Sequence, residues 1–183
     1  MKRKIYLLVV LRLFAGIIGS SADQVPFAIV HGPKAAFNIA APEGWVIDNS
    51  AGAADGLPCV LYRKGDTWDN ADPLMYTKIA STAYEDAEAF AKTAIEEMKK
   101  KRGDYKTRRV ESGKTKDGRA WFINEYSPNE TYPRLERVAY IQLPKAVAYV
   151  VYSADKEAVF RKHQSTLQQL LKSFTYLEPK QDE

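Results

Sequence analysis

Cysteine is almost absent from this 183-residue chain, which contains only Cys59. A single cysteine excludes an intramolecular disulfide, so the folded chain has to be stabilised by its hydrophobic core. Cys59 stands in the apolar run 57–61. Because a free cysteine behaves as a small buried hydrophobic residue, we expect Cys59 to lie in that core.

The motifs of common catalytic sites are also missing. The sequence has no Gly-x-Ser-x-Gly, no His-Glu-x-x-His, no phosphate-binding glycine-rich loop and no Cys-x-x-Cys. Histidine occurs only at His31, which we expect to be exposed, and at His163, which we expect at the edge of the core. Nothing near Cys59 predicts a reactive thiolate that would pair with His163. The sequence therefore predicts a protein that is not an enzyme, with no catalytic residue, no metal and no cofactor.

Long apolar runs are absent as well, since no stretch reaches 18 residues. The apolar residues 5–18 follow the basic residues 2–4 and precede the small residues 20–22, an arrangement typical of a secretory signal peptide. We therefore predict a signal peptide at 1–22 and a mature chain that is periplasmic or secreted. Arg12 interrupts the apolar stretch, so an uncleaved membrane anchor with a purely structural role is an alternative.

Net charge of either sign disappears when the predicted signal peptide is removed. The whole chain has 27 basic and 23 acidic residues, and four of the basic ones (Lys2, Arg3, Lys4 and Arg12) lie in residues 1–22. The mature chain would be neutral, which gives no support to a nucleic-acid partner. Contact with a membrane is expected only through residues 1–22, if they are retained.

The rest of the chain divides into an N-terminal arm at 23–34, one domain at 35–177 and a polar tail at 178–183. Pro42 and Gly44 predict a hairpin that places Trp45 in the core. Strands are predicted at 57–63 and 74–80.

Helix and hairpin signals follow along the domain. A capping box of Thr82 and Glu85 predicts a helix over 85–102, ended by Gly103. Asp117-Gly118 predicts a two-residue hairpin turn with positive φ at both positions. Further predictions are a second hairpin over 136–143 and 146–153, which turns at 144–145, and a last helix from the N-cap Asp155 to Phe174.

Two strands, at 138–141 and 146–152, are apolar at consecutive positions, so both faces of the predicted sheet should be covered. Together with residues 37–45, which contain Pro42, Gly44 and Trp45, this arrangement over 35–177 resembles the PsbP-like fold. That fold is shared by the photosystem extrinsic protein PsbP, the Ran-binding Mog proteins and the bacterial envelope protein DcrB. The resemblance implies an α+β fold, an antiparallel sheet flanked by helices on both faces in an α/β/α sandwich. It also implies an accessory, non-enzymatic role in a bacterial envelope through protein–protein contacts, and it assigns no site residues.

The loop 66–72 is the first candidate site, with Asp66, Trp68, Asp69 and Asp72. Carboxylates bind Ca²⁺, but the spacing does not fit an EF-hand loop. Because tryptophan is enriched at interface hot spots, we predict that this loop contacts an envelope protein, with Trp68 as the anchor. A solvated acidic loop and a small hydrolase or isomerase that uses these carboxylates are the alternatives.

The first central hairpin is the second candidate site, because five basic residues cluster in its sequence. They predict a patch for an anionic partner, a lipid or a glycan, although a charged strand edge that prevents aggregation would have the same composition. The five residues are Lys106, Arg108, Lys114, Lys116 and Arg119.

Overall fold

The computed structural model describes residues 26–80 and 84–178. The predicted signal peptide, Thr82 and residues 179–183 of the predicted tail lie outside the described residues. The strands are β1 Phe27–His31, β2 Ala36–Ala40, β3 Trp45–Asp48, β4 Cys59–Arg63, β5 Leu74–Ile79, β6 Thr107–Lys114, β7 Ala120–Tyr126, β8 Leu135–Gln142, β9 Val147–Ala154 and β10 Thr175–Leu177. The helices are α1 Ala87–Arg102, α2 Glu157–His163 and α3 Ser165–Ser173.

The strands form two antiparallel sheets. The larger sheet has the order β3-β4-β5-β9-β8-β7-β6, and the smaller has the order β1-β2-β10. An α+β fold with antiparallel pairing is therefore confirmed, but two sheets are present where the sequence predicted one. The second sheet depends on pairing between strands that are far apart in the sequence, because β10 pairs with β2.

The predicted N-terminal arm contains a strand of the fold. β1 pairs with β2 over its whole length, and its side chains Ala28 and Val30 are buried. The hairpin expected at Pro42 and Gly44 is wrong, because β2 belongs to the smaller sheet and β3 pairs with β4. Residues 42–44 instead form a turn that carries the chain from one sheet to the other, and Trp45 is buried as predicted.

Both central hairpins are confirmed as β6–β7 and β8–β9. The turn at Asp117-Gly118 is longer than expected, because the amide of Thr115 donates to the carbonyl of Arg119 over 2.9 Å. Gly118 has a φ of 83°, whereas no residue other than glycine has positive φ among the described residues. The three-residue loop therefore needs positive φ only at Gly118.

The helix boundaries differ from the prediction at both helical regions. Asp86 rather than the predicted capping box starts α1, because its carboxylate accepts a hydrogen bond from the amide of Ala89 over 2.8 Å. The last helix is divided at Gln164 into α2 and α3. Asp155 is not the N-cap of α2. Its carboxylate accepts a hydrogen bond from Arg134 over 2.5 Å instead.

Buried side chains form two clusters, and β8 contributes to both. Ala139 and Ile141 belong to a first cluster with residues of β1, β2, α2 and α3. Val138 and Tyr140 belong to a second cluster that includes residues of α1. Alternate residues of a strand point to opposite faces, so these clusters lie on opposite faces of β8. Cys59 is fully buried in the first cluster, which confirms its predicted place in the core.

Candidate functional site

The loop 66–72 is partly folded onto its neighbours. Trp68 starts a short 3₁₀ turn, Trp68–Asn70, and its indole nitrogen donates to the carboxylate of Asp55 over 3.0 Å. The side chain is half-buried rather than fully exposed. Trp68 therefore presents only part of its ring to a partner.

The three carboxylates of this loop have different surroundings. Asp72 accepts a hydrogen bond from the amide of Asp155 over 2.9 Å and lies 3.8 Å from the guanidinium of Arg134. Asp69 is exposed, and Asp66 is half-buried. Within 26–80 and 84–178, no group of three or more His, Cys, Asp or Glu residues is arranged to hold a metal ion.

The predicted basic patch is divided between two ends of a strand. Lys106 immediately precedes β6, Arg108 is the second residue of β6, and Lys114 is its last residue. Lys114 lies six positions along the strand from Arg108, which is a distance of roughly 20 Å. Arg108 is also paired with Glu125 over 2.6 Å. The five basic residues thus form two separate groups rather than one patch.

Lys116 and Arg119 belong to the second group, in the turn 115–119. The guanidinium carbon of Arg119 lies 4.9 Å from the ring centre of Tyr176 in β10. Asp117 of the same turn accepts a hydrogen bond from the amide of Tyr176 over 2.8 Å. The turn therefore lies against the edge of the smaller sheet.

A groove between α1 and the larger sheet is a feature that sequence reasoning missed. It has a volume of about 450 Å³, which is in the range of ligand-binding sites. We call it the tyrosine groove. Its aromatic lining consists of Tyr76, Tyr84, Phe90, Tyr140 and Tyr149.

A buried polar group lies at one end of the tyrosine groove. Glu136 is only 4% exposed, and its carboxylate accepts hydrogen bonds from Arg102 over 3.0 Å and from the hydroxyl of Tyr132 over 2.6 Å. The guanidinium of Arg102 also stacks 3.7 Å above the ring of Tyr132. Burial and the carboxylate of Glu136 raise the pKa of Tyr132 to about 12. Charge and hydrogen bonds hold these three side chains in place.

Tyr76 and Tyr149 of the groove stay protonated at neutral pH. Burial raises the pKa of Tyr76, and Glu136 and Tyr149 raise it further. Burial also raises the pKa of Tyr149. Their hydroxyls are therefore neutral groups that can both donate and accept hydrogen bonds.

The thiol and the imidazole considered in the sequence are held in structural positions. Burial raises the pKa of Cys59 to about 12, so its thiol is not ionised at neutral pH. His163 is half-buried and lies 3.3 Å from a guanidinium nitrogen of Arg63. Burial and the charge of Arg63 lower the pKa of His163. His163 at the edge of the core agrees with the prediction, and His31 is exposed as predicted.

None of the described helices is long and apolar enough to cross a lipid bilayer.

No family model matches the sequence, and no curated protein matches it either. Among solved structures, the chain is similar to the solution structure of cyanobacterial PsbP (CyanoP) from Synechocystis sp. PCC 6803, with 15% identity and a TM-score of 0.53. The match covers 88% of this chain and 100% of that one. The chain therefore has a PsbP-like fold.

Proposed function

We propose that this protein is an exported, non-enzymatic accessory protein of a bacterial envelope, which binds another envelope protein in the tyrosine groove. In this proposal α1 covers one face of the larger sheet, while α2 and α3 cover the other. The PsbP-like fold supports an accessory role. The observation that carries the proposal is the groove itself, an aromatic cleft with one fixed ion pair at its end.

The residue types of the groove favour a protein partner. Tyrosine and arginine are enriched at interface hot spots, because they combine a large apolar area with hydrogen-bonding groups. Tyr84 and Tyr149 are half-buried, so their rings have surface left for a partner. A volume of about 450 Å³ admits a few side chains of an extended segment, whose backbone amides the neutral tyrosine hydroxyls can satisfy. A lipid or a glycan in the same groove is the alternative that the experiment has to separate.

The loop 66–72 is proposed as a second contact of the same partner. Trp68 keeps part of its ring exposed, and Asp69 is exposed beside it. The basic residues Lys106 and Arg108 are likewise proposed to contact an anionic partner.

Site-specific photo-crosslinking in the source organism tests the proposal. A photoreactive phenylalanine analogue is placed at Tyr84 in the groove, at Trp68 in the loop, or at Lys162, which is exposed on α2. We expect one envelope protein to be crosslinked at position 84 and none at position 162. Crosslinking at position 68 to the same protein would support the second contact.

A hydroxyl deletion shows whether the adduct depends on the groove. Tyr149→Phe should weaken the adduct several-fold, because one hydrogen-bonding group is lost. The matched control is Tyr62→Phe, whose hydroxyl bonds Asp48 over 3.0 Å outside the groove and should leave the adduct unchanged. If only a lipid or a glycan is crosslinked at position 84, the groove binds that ligand and not a protein. Equal labelling at positions 84 and 162 would refute the groove as the binding site.

A further inference from the structure

The aromatic rings of the tyrosine groove form one continuous surface. The ring centre of Phe90, on α1, lies 4.9 Å from that of Tyr84 and 5.3 Å from that of Tyr149. Tyr140 of β8 is 1% exposed and lies 5.8 Å from Phe90, so it belongs to the floor of the groove. Tyr76 lines the same groove from β5. An occupant of the groove therefore meets aromatic rings both on the floor and on the wall that α1 forms.

The backbone of the groove floor is already hydrogen-bonded. The floor is formed by β5, β9 and β8, and each of these strands has a paired neighbour on both sides. A partner cannot extend the sheet here, because strand addition requires an exposed edge. An extended segment with ordinary amides would also bury N–H groups for which the floor has no free backbone acceptor, which is costly.

The size of the groove favours a short extended segment over a helix. Two turns of α-helix, about 10 Å across and 11 Å long, occupy roughly 800 Å³, whereas the groove has a volume of about 450 Å³. Tyr140 and Glu136 both line the groove and stand four residues apart on β8, a distance of roughly 13 Å. Four residues in the polyproline II conformation span roughly 12 Å, which matches that length.

One positive charge at the Glu136 end of the groove has no ionic partner. Glu97 and Glu136 are the acidic side chains of the lining. Glu97 pairs with Lys100 over 3.1 Å, and Glu136 pairs with Arg102 over 3.0 Å. Lys101 also lines the groove and is exposed, and it forms no ion pair within residues 26–80 and 84–178. This end of the groove therefore attracts a carboxylate.

The other end of the groove carries the opposite charge. Where α1 begins, Glu85 is exposed and the carboxylate of Asp86 caps the helix. Just beyond the end of α1, by contrast, the charge of Asp104 is offset by Lys99, 3.9 Å away. An acidic residue of a partner is thus attracted to the end beside Lys101 and repelled from the other, which is charge complementarity of the kind that orients a ligand.

We propose that the tyrosine groove binds a proline-rich segment of its partner in the polyproline II conformation, with an acidic residue of that segment beside Lys101. Proline has no N–H group, so such a segment buries no unpaired backbone donor. Its carbonyls accept hydrogen bonds from the neutral hydroxyls of Tyr76 and Tyr149. Grooves lined by aromatic side chains are the sites that dock such segments. This specificity rests on the proposed function, in which the groove binds an envelope protein.

Peptide titration followed by NMR tests the proposed specificity. The protein is purified in the form in which its own organism accumulates it. The probes are capped peptides of four prolines and two aspartates, with the aspartates either after or before the prolines. We expect one order to bind and to shift the amide signal of Ala94, which lines the groove. Serines in place of the prolines should weaken binding by about tenfold or more, because apolar contact is lost.

Charge reversal tests the place of the acidic residue. Lysines in place of the aspartates should weaken binding by about threefold, and Lys101→Glu should reverse this preference. The matched control is Lys92→Glu, on the other flank of α1 beside Arg109, which should keep the preference for aspartate. Equal binding of the proline and serine peptides, or an unchanged preference in Lys101→Glu, would overturn the proposal.

The crosslink at position 84 separates a wrong segment from a wrong function. The protein captured there is digested, and the peptide attached to position 84 is identified by mass spectrometry. Attachment within a proline-rich, acidic segment supports the proposed specificity. Attachment to a segment without proline overturns that specificity but leaves protein binding in the groove intact. Capture of no protein refutes the protein-binding function, and the proposed segment with it.

Discussion

Glu125 is the residue on which three arginines converge. One carboxylate oxygen accepts from Arg108 over 2.6 Å, and the other accepts from Arg137 over 2.8 Å and from Arg161 over 3.2 Å. Glu125 is only 7% exposed. Burial alone would raise the pKa of this carboxyl, but the hydrogen bonds from Arg137 and Arg108 outweigh burial and hold the pKa below its ordinary value. The ionised carboxylate is therefore the form that the fold stabilises.

Glu125→Gln should lower the free energy of unfolding by about 3 kcal/mol at pH 7, because three guanidinium groups lose their shared counter-charge. A carboxyl whose pKa is lower in the folded state stabilises the fold above its unfolded pKa. That contribution is lost as the pH falls from about 4.5 through the lower folded value. Urea unfolding at pH 7 and pH 3 should therefore show a smaller difference between the two chains at pH 3.

The matched control for Glu125→Gln is Glu157→Gln. Glu157 also pairs with Arg161, over 3.5 Å, but it is exposed on α2. Exposed pairs of this spacing contribute about 0.3–0.5 kcal/mol, so this variant should hardly change stability at either pH. Equal losses for the two variants would show that the buried carboxylate has no special role.

Single residues also show where sequence reasoning stops. Trp45 and Cys59 were placed correctly because their apolar neighbours indicate burial. The groove residues Tyr140 and Tyr149 are directly paired across the β8–β9 hairpin, and their pairing follows from its turn at 144–145. Arg102 of α1 and Tyr84, which precedes that helix, line the same groove. No local sequence pattern indicates where α1 packs on the sheet.

At the scale of elements, hairpins were predictable and distant strand pairs were not. A hairpin is specified by its turn residues and by the strands on either side of it, which are all close in sequence. β1 pairs with β2, but this sheet is completed by β10 from the far end of the chain. The alternation in β1 was also obscured, because its exposed residues Phe27 and Ile29 are as apolar as its buried ones.

The start of α1 gives a prediction that distinguishes two caps. Asp86→Ala should cost about 1 kcal/mol, since the Ala89 amide loses the acceptor that now caps the helix. Glu85→Ala removes a carboxylate one residue earlier, and it should cost no more than about 0.3 kcal/mol through the helix dipole. Thermal unfolding of both variants measures the difference. A larger loss of stability for Glu85→Ala than for Asp86→Ala would support the capping box predicted from the sequence instead.

At the scale of the whole molecule, the two sheets share one core. Phe37 and Ile39 of the smaller sheet belong to the same hydrophobic cluster as Val150 of the larger sheet. The ring of Phe37 stacks on Phe174 with 4.5 Å between the ring centres, which ties β2 to the chain between α3 and β10. We therefore expect both sheets to unfold together, although the sequence suggested that the N-terminal segment was an arm.

Phe37→Ala measures this coupling. Phe37 is fully buried, and its truncation should lower the free energy of unfolding by about 3–5 kcal/mol while unfolding remains a single transition. Tryptophan fluorescence, which includes buried Trp45, and far-UV circular dichroism should give the same midpoint in urea. Phe27→Ala in the same small sheet is the control, because its side chain is 65% exposed and its loss should change stability by less than about 0.5 kcal/mol. Two separate transitions in the Phe37→Ala chain would mean that the smaller sheet is only docked on the larger one and does not share a cooperative core with it.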